Sequence, residues 1–159
     1  MIRGKYKLGE KVGTWYKWYD SGKQKSAETY PDGKGISWFE NGDKSSEWTL
    51  KNGLVDGVRI EWYTSDEVKK AHDLETDSLF ADRGINPVGN SLVETLKMFR
   101  HSPQEREVSH FTMGVLNGLK TTFSPTGQKM SEGGYRDGVP VGVHTFWDGE
   151  REFYETYPP

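Results

Sequence analysis

No cysteine occurs in the 159 residues, which excludes disulfides, thiolate metal sites and cysteine nucleophiles. Long apolar runs are missing as well. No segment approaches the roughly 18 consecutive apolar residues of a membrane-spanning helix, so no span is expected. Aliphatic side chains are scarce: hydrophobic residues make up 33% of the chain and aromatic residues alone 13%. A thick two-layer core is therefore not available, and aromatic ladders must supply much of the burial. An excess of positive charge is also lacking. The formal net charge of -3 argues against a dedicated nucleic-acid or anionic-membrane protein, so a nucleic-acid partner is not expected. Met1-Ile2-Arg3-Gly4 runs straight into the patterned sequence without the charged and apolar regions of a signal peptide, and the expectation is a cytoplasmic protein.

What the chain does have is glycine and aromatic residues at fixed intervals. A large apolar residue is followed by Gly three positions on, a second Gly four further, and an aromatic five further again. The pattern occurs as Tyr6, Gly9, Gly13, Trp18; as Leu50, Gly53, Gly57, Trp62; as Phe111, Gly114, Gly118, Phe123; and as Tyr135, Gly138, Gly142, Trp147. A fifth copy, Tyr30, Gly33, Trp38, is four residues short. A period of about 20 to 24 residues marks an array whose units bury their apolar faces against one another.

Within a unit, Thr14-Trp15-Tyr16-Lys17-Trp18-Tyr19 is dense in residues suited to a pleated strand, and Asp20-Ser21-Gly22 or Asn41-Gly42 supplies a turn. The spacing predicts return strands from Lys23 to Tyr30 and from Asp43 to Leu50, and a third from Glu67 to Leu74. Glu28, Glu47 and Glu132 read as one recurring carboxylate position, with His72 standing in for it in the third unit. From residue 75 to 106 the composition changes. A short helix from Ser78 to Arg83, capped by Asp77 and ended by Gly84, and a second from Ser91 with a Ser91/Glu94 capping box are expected there. Leu92, Leu96 and Phe99 share one face of the second helix. The fold expected is thus all-β, a single-layer antiparallel repeat meander of stacked β-hairpins with about ten strands and a small helical insertion. It forms one domain over 1–159, with repeat units over about 1–74 and 107–157 and the insertion over about 75–106.

Chemistry-bearing motifs are few. His72, His101, His110 and His144 show no metal-ligand spacing, and no nucleophile elbow, phosphate loop or dinucleotide fingerprint occurs, so neither an enzyme, a metal nor a cofactor is expected. A recurring glutamate suits cross-strand lysine pairing better than catalysis, which needs two carboxylates in different environments.

The segments Gly13-Thr14-Trp15-Tyr16-Lys17-Trp18-Tyr19-Asp20-Ser21-Gly22 and Trp38-Phe39-Glu40-Asn41-Gly42 resemble the MORN repeat family, in its bacterial variant. Trp62-Tyr63, Phe123 to Gly127 and Phe146 to Gly149 follow the pattern less closely. The resemblance implies a twisted single-layer sheet used for protein–protein contact, in some members as an antitoxin-like module, and so a noncatalytic protein-binding or inhibitory role. Choline- and glucan-binding repeats are similar in flavour and give the alternative, a carbohydrate- or choline-binding module. Alternation along the strands places Trp18, Trp38, Trp62 and Trp147 on one face and Tyr19, Phe39 and Tyr63 on the other. With Leu92, Leu96 and Phe99 of the insertion, these are the candidate binding residues. The charge is polarised: seven Lys or Arg face two acids in residues 1–25, and six acids face two Arg in residues 130–159. Lysines on an edge strand discourage sheet-to-sheet pairing, so a monomer with weak, salt-sensitive self-association is expected.

Overall fold

A computed structural model of the chain describes residues 1–83, 103–149 and 151–159. The strands are β1 (Ile2–Lys7), β2 (Glu10–Trp18), β3 (Gln24–Tyr30), β4 (Gly33–Trp38), β5 (Lys44–Lys51), β6 (Leu54–Trp62), β7 (Glu105–Thr112), β8 (Val115–Phe123), β9 (Lys129–Arg136), β10 (Val139–Asp148) and β11 (Arg151–Tyr157). They form one sheet in sequence order, each antiparallel to the next. The architecture is the expected all-β hairpin meander. The described residues form eleven strands rather than about ten, because Arg151–Tyr157 pairs with β10 as a strand of its own.

The glycine spacing builds the two rims of the sheet. At one rim the chain reverses through two-residue turns such as Asn52-Gly53, where both residues have positive φ (52° and 78°) as the twist of a tight hairpin requires. The amide of Gly53 donates to the Pro31 carbonyl, that of Gly114 to Val55 and that of Gly138 to Leu116, so each turn is bonded to the hairpin before it. The second glycine of the unit falls where the register shifts by an irregularity, as in the stretch around Gly57 between Trp48 and Leu50 pairing. At the opposite rim a wider turn recurs. Tyr19 N–H donates to Lys23 C=O, Phe39 to Asp43 and Ser124 to Gln128.

The third turn of that rim holds the insertion. Tyr63 N–H donates to Gln104 C=O at 3.0 Å, the same bond as Phe39 to Asp43, so residues 64–103 stand where Glu40, Asn41 and Gly42 stand in the preceding hairpin. The predicted return strand from Glu67 to Leu74 is instead the start of α1 (Ser65–Arg83), and the real return strand is β7. The cause is local. Thr64 and Glu67 form a capping box: the Thr64 amide donates to Glu67 Oε2 at 2.9 Å, and the Glu67 amide donates to Thr64 Oγ1 at 3.1 Å. Asp66 and Glu67 in the first turn favour the helix dipole, and Val68 is buried. The insertion therefore begins at 64, not 75; the expected helix from Ser78 is the continuation of α1, and His72 is helical rather than a strand residue. Ser91 to Arg100, with Leu92, Leu96 and Phe99, lies outside the described residues. Among the described residues no helix is long and apolar enough to cross a membrane.

With a single layer, the two faces of the sheet differ in crowding. Every buried strand residue except Thr121 belongs to one face, which is hereafter the inner face: Trp15, Ser26, Glu28, Gly35, Ser46, Leu50, Ser109, Gly133 and His144. Its middle is one continuous row across the strands. Register pairs run Trp15–Glu28, Glu28–Gly35, Gly35–Trp48, Trp48–Arg59, Arg59–Ser109, Ser109–Lys120 and Lys120–Gly133. Large rings lie over glycines in this row. A methyl group on Gly4 would come within 2.1 Å of the Trp15 ring, one on Gly35 within 2.1 Å of Trp48, and one on Gly133 within 2.3 Å of His144. Among the described residues, only Trp15, Leu50 and Val68 are buried apolar side chains, so the row of rings, ion pairs and hydroxyls takes the place of a core.

Candidate functional site

The expected aromatic rows are present, but they divide the work differently from the expectation. Trp18, Trp38, Trp62 and Trp147 follow the alternation onto the outer face, where all four are half-buried. Trp18 lies beside Tyr16 with ring centroids 5.9 Å apart. Lys44 sits over Trp62 at 4.9 Å and Lys129 over Trp147 at 5.4 Å, and these lysines occupy equivalent positions, each paired with the aromatic that ends the preceding strand. Lys44 and Lys129 also bind Glu47 (2.8 Å) and Glu132 (2.7 Å). Those hydrogen bonds are the leading cause that lowers both carboxyl pKa values, against a smaller opposing effect of burial.

Tyr19 and Tyr63 tie neighbouring hairpins together. The Tyr19 hydroxyl donates to the Trp38 carbonyl at 2.8 Å, and the Tyr63 hydroxyl donates to the Phe123 carbonyl at 2.9 Å, across the inserted segment. A cation from the irregular position of the return strand covers each ring: Lys25 over Tyr19 at 5.3 Å and Arg106 over Tyr63 at 5.7 Å. Phe39 holds the same place without a hydroxyl. The candidate residues Leu92, Leu96 and Phe99 lie outside the described residues.

The inner face carries a concave site that the sequence pattern did not single out. A groove of about 400 Å³ crosses β2 to β6. Lys17, Lys25 and Arg59 bring positive charge to it, and Glu28 is its one carboxylate; Ser26, Ser37 and Ser46 supply hydroxyls, and Tyr30, Trp48, Leu50 and Val55 supply ring and aliphatic surface. Glu28 is 8% exposed, and both of its oxygens accept hydrogen bonds. Its Oε1 accepts from Lys17 Nζ at 3.0 Å and from Ser26 Oγ at 3.2 Å, and its Oε2 accepts from the Tyr30 hydroxyl. Burial acts to raise the Glu28 carboxyl, but the hydrogen bonds from Tyr30, Lys17 and Ser26 together with the Lys17 charge outweigh it and hold the group below its usual value. Burial first, then the bond to and charge of Glu28, push the Tyr30 phenol up to about 12. Lys11 caps the far side of Tyr30, 4.8 Å from its ring.

The donors of the groove are less fully used than its acceptors. Arg59 pairs with Glu61 through Nη2, yet its buried Nε–H has no partner among the described residues. Ser37 Oγ lies 2.6 Å from Ser46 Oγ within the groove and 2.6 Å from Ser45 Oγ outside it. Lys25 makes no ion pair with any described residue; its contact is the Tyr19 ring.

Counting back from the turn glycines would have found this site. Glu28, Trp48, Ser109 and Gly133 each stand five residues before Gly33, Gly53, Gly114 and Gly138, whereas Glu47 and Glu132 stand six before. Glu28 is therefore not the equivalent of Glu47 and Glu132: the odd offset turns it to the opposite face. Of the histidines, His144 is 5% exposed, lies between Tyr135 and Tyr157, and has Nε2 2.8 Å from the Gly134 carbonyl. Among the described residues no group of three or more His, Asp or Glu is placed to hold a metal ion. Comparison of the chain with protein-family models, with curated proteins and with solved structures finds no match in any of the three.

Proposed function

We propose that the chain is a noncatalytic protein-binding repeat module of the kind its MORN-like sequence suggests, acting as an antitoxin-like or otherwise inhibitory factor through contact with a protein partner. One observation carries this reading. Among the described residues the eleven-strand sheet has no second layer: Val58, Leu119 and Val143 on the outer face are 41%, 46% and 57% exposed, while the inner face holds a groove lined by charge, hydroxyls and an indole. Sheet surface of this extent, rimmed by polar residues, suits a macromolecular partner.

The choline- or carbohydrate-binding alternative draws less support. A quaternary ammonium needs a vacant aromatic face. Four of the six tryptophans are covered here: Lys11 lies over Trp15, Lys44 over Trp62, Arg59 over Trp48 and Lys129 over Trp147, at 4.9 to 6.0 Å from the ring centres, which leaves Trp18 and Trp38 for such a ligand.

Affinity capture from a bacterial lysate tests the reading when the wild-type protein is compared with two folded variants, Trp48→Ala on the inner face and the triple change Val58→Ser, Leu119→Ser, Val143→Ser on the outer face. The expected result is a stoichiometric partner retained by the wild type and lost with one of the two. Capture that neither variant affects, or retention on choline or glucan resin instead, overturns it.

A further inference from the structure

The groove on the inner face has a chemical bias that narrows what it can accept. Its acceptors are occupied, since both Glu28 oxygens already take bonds from Lys17, Ser26 and Tyr30. Its donors are not. Among the described residues the Arg59 Nε–H is buried without a partner and Lys25 has no carboxylate. Of the three cations around the groove, Lys17 is paired with Glu28 and Arg59 with Glu61, which leaves the Lys25 charge uncompensated among the described residues. A buried N–H without an acceptor is costly, and an oxygen ligand removes that cost.

We propose that this groove receives a carboxylate side chain from an acidic segment of a protein partner. The proposal rests on the protein-binding reading above and names the chemistry of the partner. A carboxylate fits better than a phosphate. Arg59 is already paired with Glu61 through Nη2, so its charge is partly neutralised and suits a singly charged carboxylate better than a dianion. The ionised Glu28 at the centre also repels a dianion more than a monoanion. Beside the donors, Trp48, Leu50 and Val55 form a wall for the aliphatic neighbour of an acidic residue. Five strands at about 4.8 Å spacing span roughly 19 Å, the length of about six residues of extended peptide. The basic strand β1 adjoins β2, the first strand of the groove, and extends the attraction beyond it, in a chain whose net charge is -3.

The test uses the full chain and a fluorescein-labelled ten-residue peptide of alternating leucine and glutamate, with the leucine–glutamine peptide as a neutral control, followed by fluorescence anisotropy. Binding of the glutamate peptide that weakens with salt is expected, with little binding of the control. Arg59→Gln should weaken it about tenfold or more, as for loss of one hydrogen bond to a charged group. Arg59→Lys, which keeps the charge but lacks Nε–H, should fall in between. Lys25→Gln, at an exposed position, should weaken binding about two- to fivefold. Glu28→Gln should tighten it, because it removes the one carboxylate of the groove and releases Lys17; a merely structural role for Glu28 predicts no such gain. Circular dichroism and melting confirm that each variant is folded, and Lys25→Gln decides the matter if Arg59→Gln is not. Equal binding of the glutamine peptide, unchanged binding by Lys25→Gln, or tighter binding when phosphoserine replaces one glutamate overturns the proposal. The peptide assay does not need the natural partner. Its failure removes the groove assignment alone, whereas absence of face-dependent capture from lysate removes the broader reading.

Discussion

At the scale of single residues, the large-over-glycine row of the inner face makes a sharp distinction between glycines. Gly35→Ala places a methyl group 2.1 Å from Cε2 of Trp48, so the indole must leave its seat, and a loss of about 1–3 kcal/mol is expected from urea unfolding. Gly22 has φ of +83° with open space around it, so Gly22→Ala should cost only the backbone term of about 1–2 kcal/mol and leave Trp48 fluorescence unchanged. An unshifted Trp48 signal in Gly35→Ala contradicts the packing. The Glu28–Tyr30 pair sets the pH limits. The carboxyl pKa is depressed in the fold, so its contribution is present above the ordinary carboxylate value of 4.5 and is lost as pH falls through the lower folded value. The phenol pKa is raised, so its contribution is complete below 10 and is lost as pH rises through about 12. Glu28→Gln should therefore flatten the acid limb of the stability profile. Tyr30→Phe should remove one late step from the ultraviolet titration of the tyrosines, and a titration that keeps that step places the high phenol elsewhere.

At the scale of elements, the hairpins were legible because glycine spacing records turns and strand offsets directly. Asn52-Gly53 and Asp137-Gly138 have few conformational alternatives, and the aromatic endings Trp18, Trp38 and Trp62 mark where each strand meets its wider turn. Two things were hidden. The boundary of the insertion was obscured because Trp62-Tyr63 continues the repeat and suggests a return strand, although Thr64-x-x-Glu67 carried the capping signal that starts α1 instead. The groove was hidden because recurring glutamates look alike until their offset from the turn is counted, and an offset of one residue sends Glu28 inward and Glu47 outward. Since Tyr63 and Gln104 are joined as Phe39 and Asp43 are, replacing 64–103 by Glu-Asn-Gly should close a regular hairpin. Retained strand signal with the helical component gone is the expected circular dichroism; collapse of the sheet shows instead that the insertion is needed for folding. Thr64→Ala should cost about 1 kcal/mol of helix stability without altering the sheet.

At the scale of the whole molecule, each strand bonds only to the strands beside it in sequence, so stability is passed along the sheet from neighbour to neighbour. Hydrogen exchange should be fastest in β1 and β11 and slowest around Ser109 in β7, whose side chain is fully buried. Uniform protection across all strands contradicts this. The basic residues of 1–25 and the acidic residues of 130–159 lie toward opposite ends of the strand order, so sedimentation velocity at low salt should show weak, concentration-dependent association that fades at high salt. A tight dimer indifferent to salt points to an apolar interface. The meander also places every second connection on the same rim, two strand widths or about 9.6 Å from the next. Four of those connections are the turns after Trp18, Trp38, Trp62 and Phe123, and the third has accepted residues 64–103 while its closing hydrogen bond is kept. That rim is a ruler with sockets: segments grafted at Asp20 to Gly22, Glu40 to Gly42 or Pro125 to Gly127 would be displayed side by side at fixed intervals, and their spacing would be set by the hydrogen-bonded width of a strand and not by the grafted sequence.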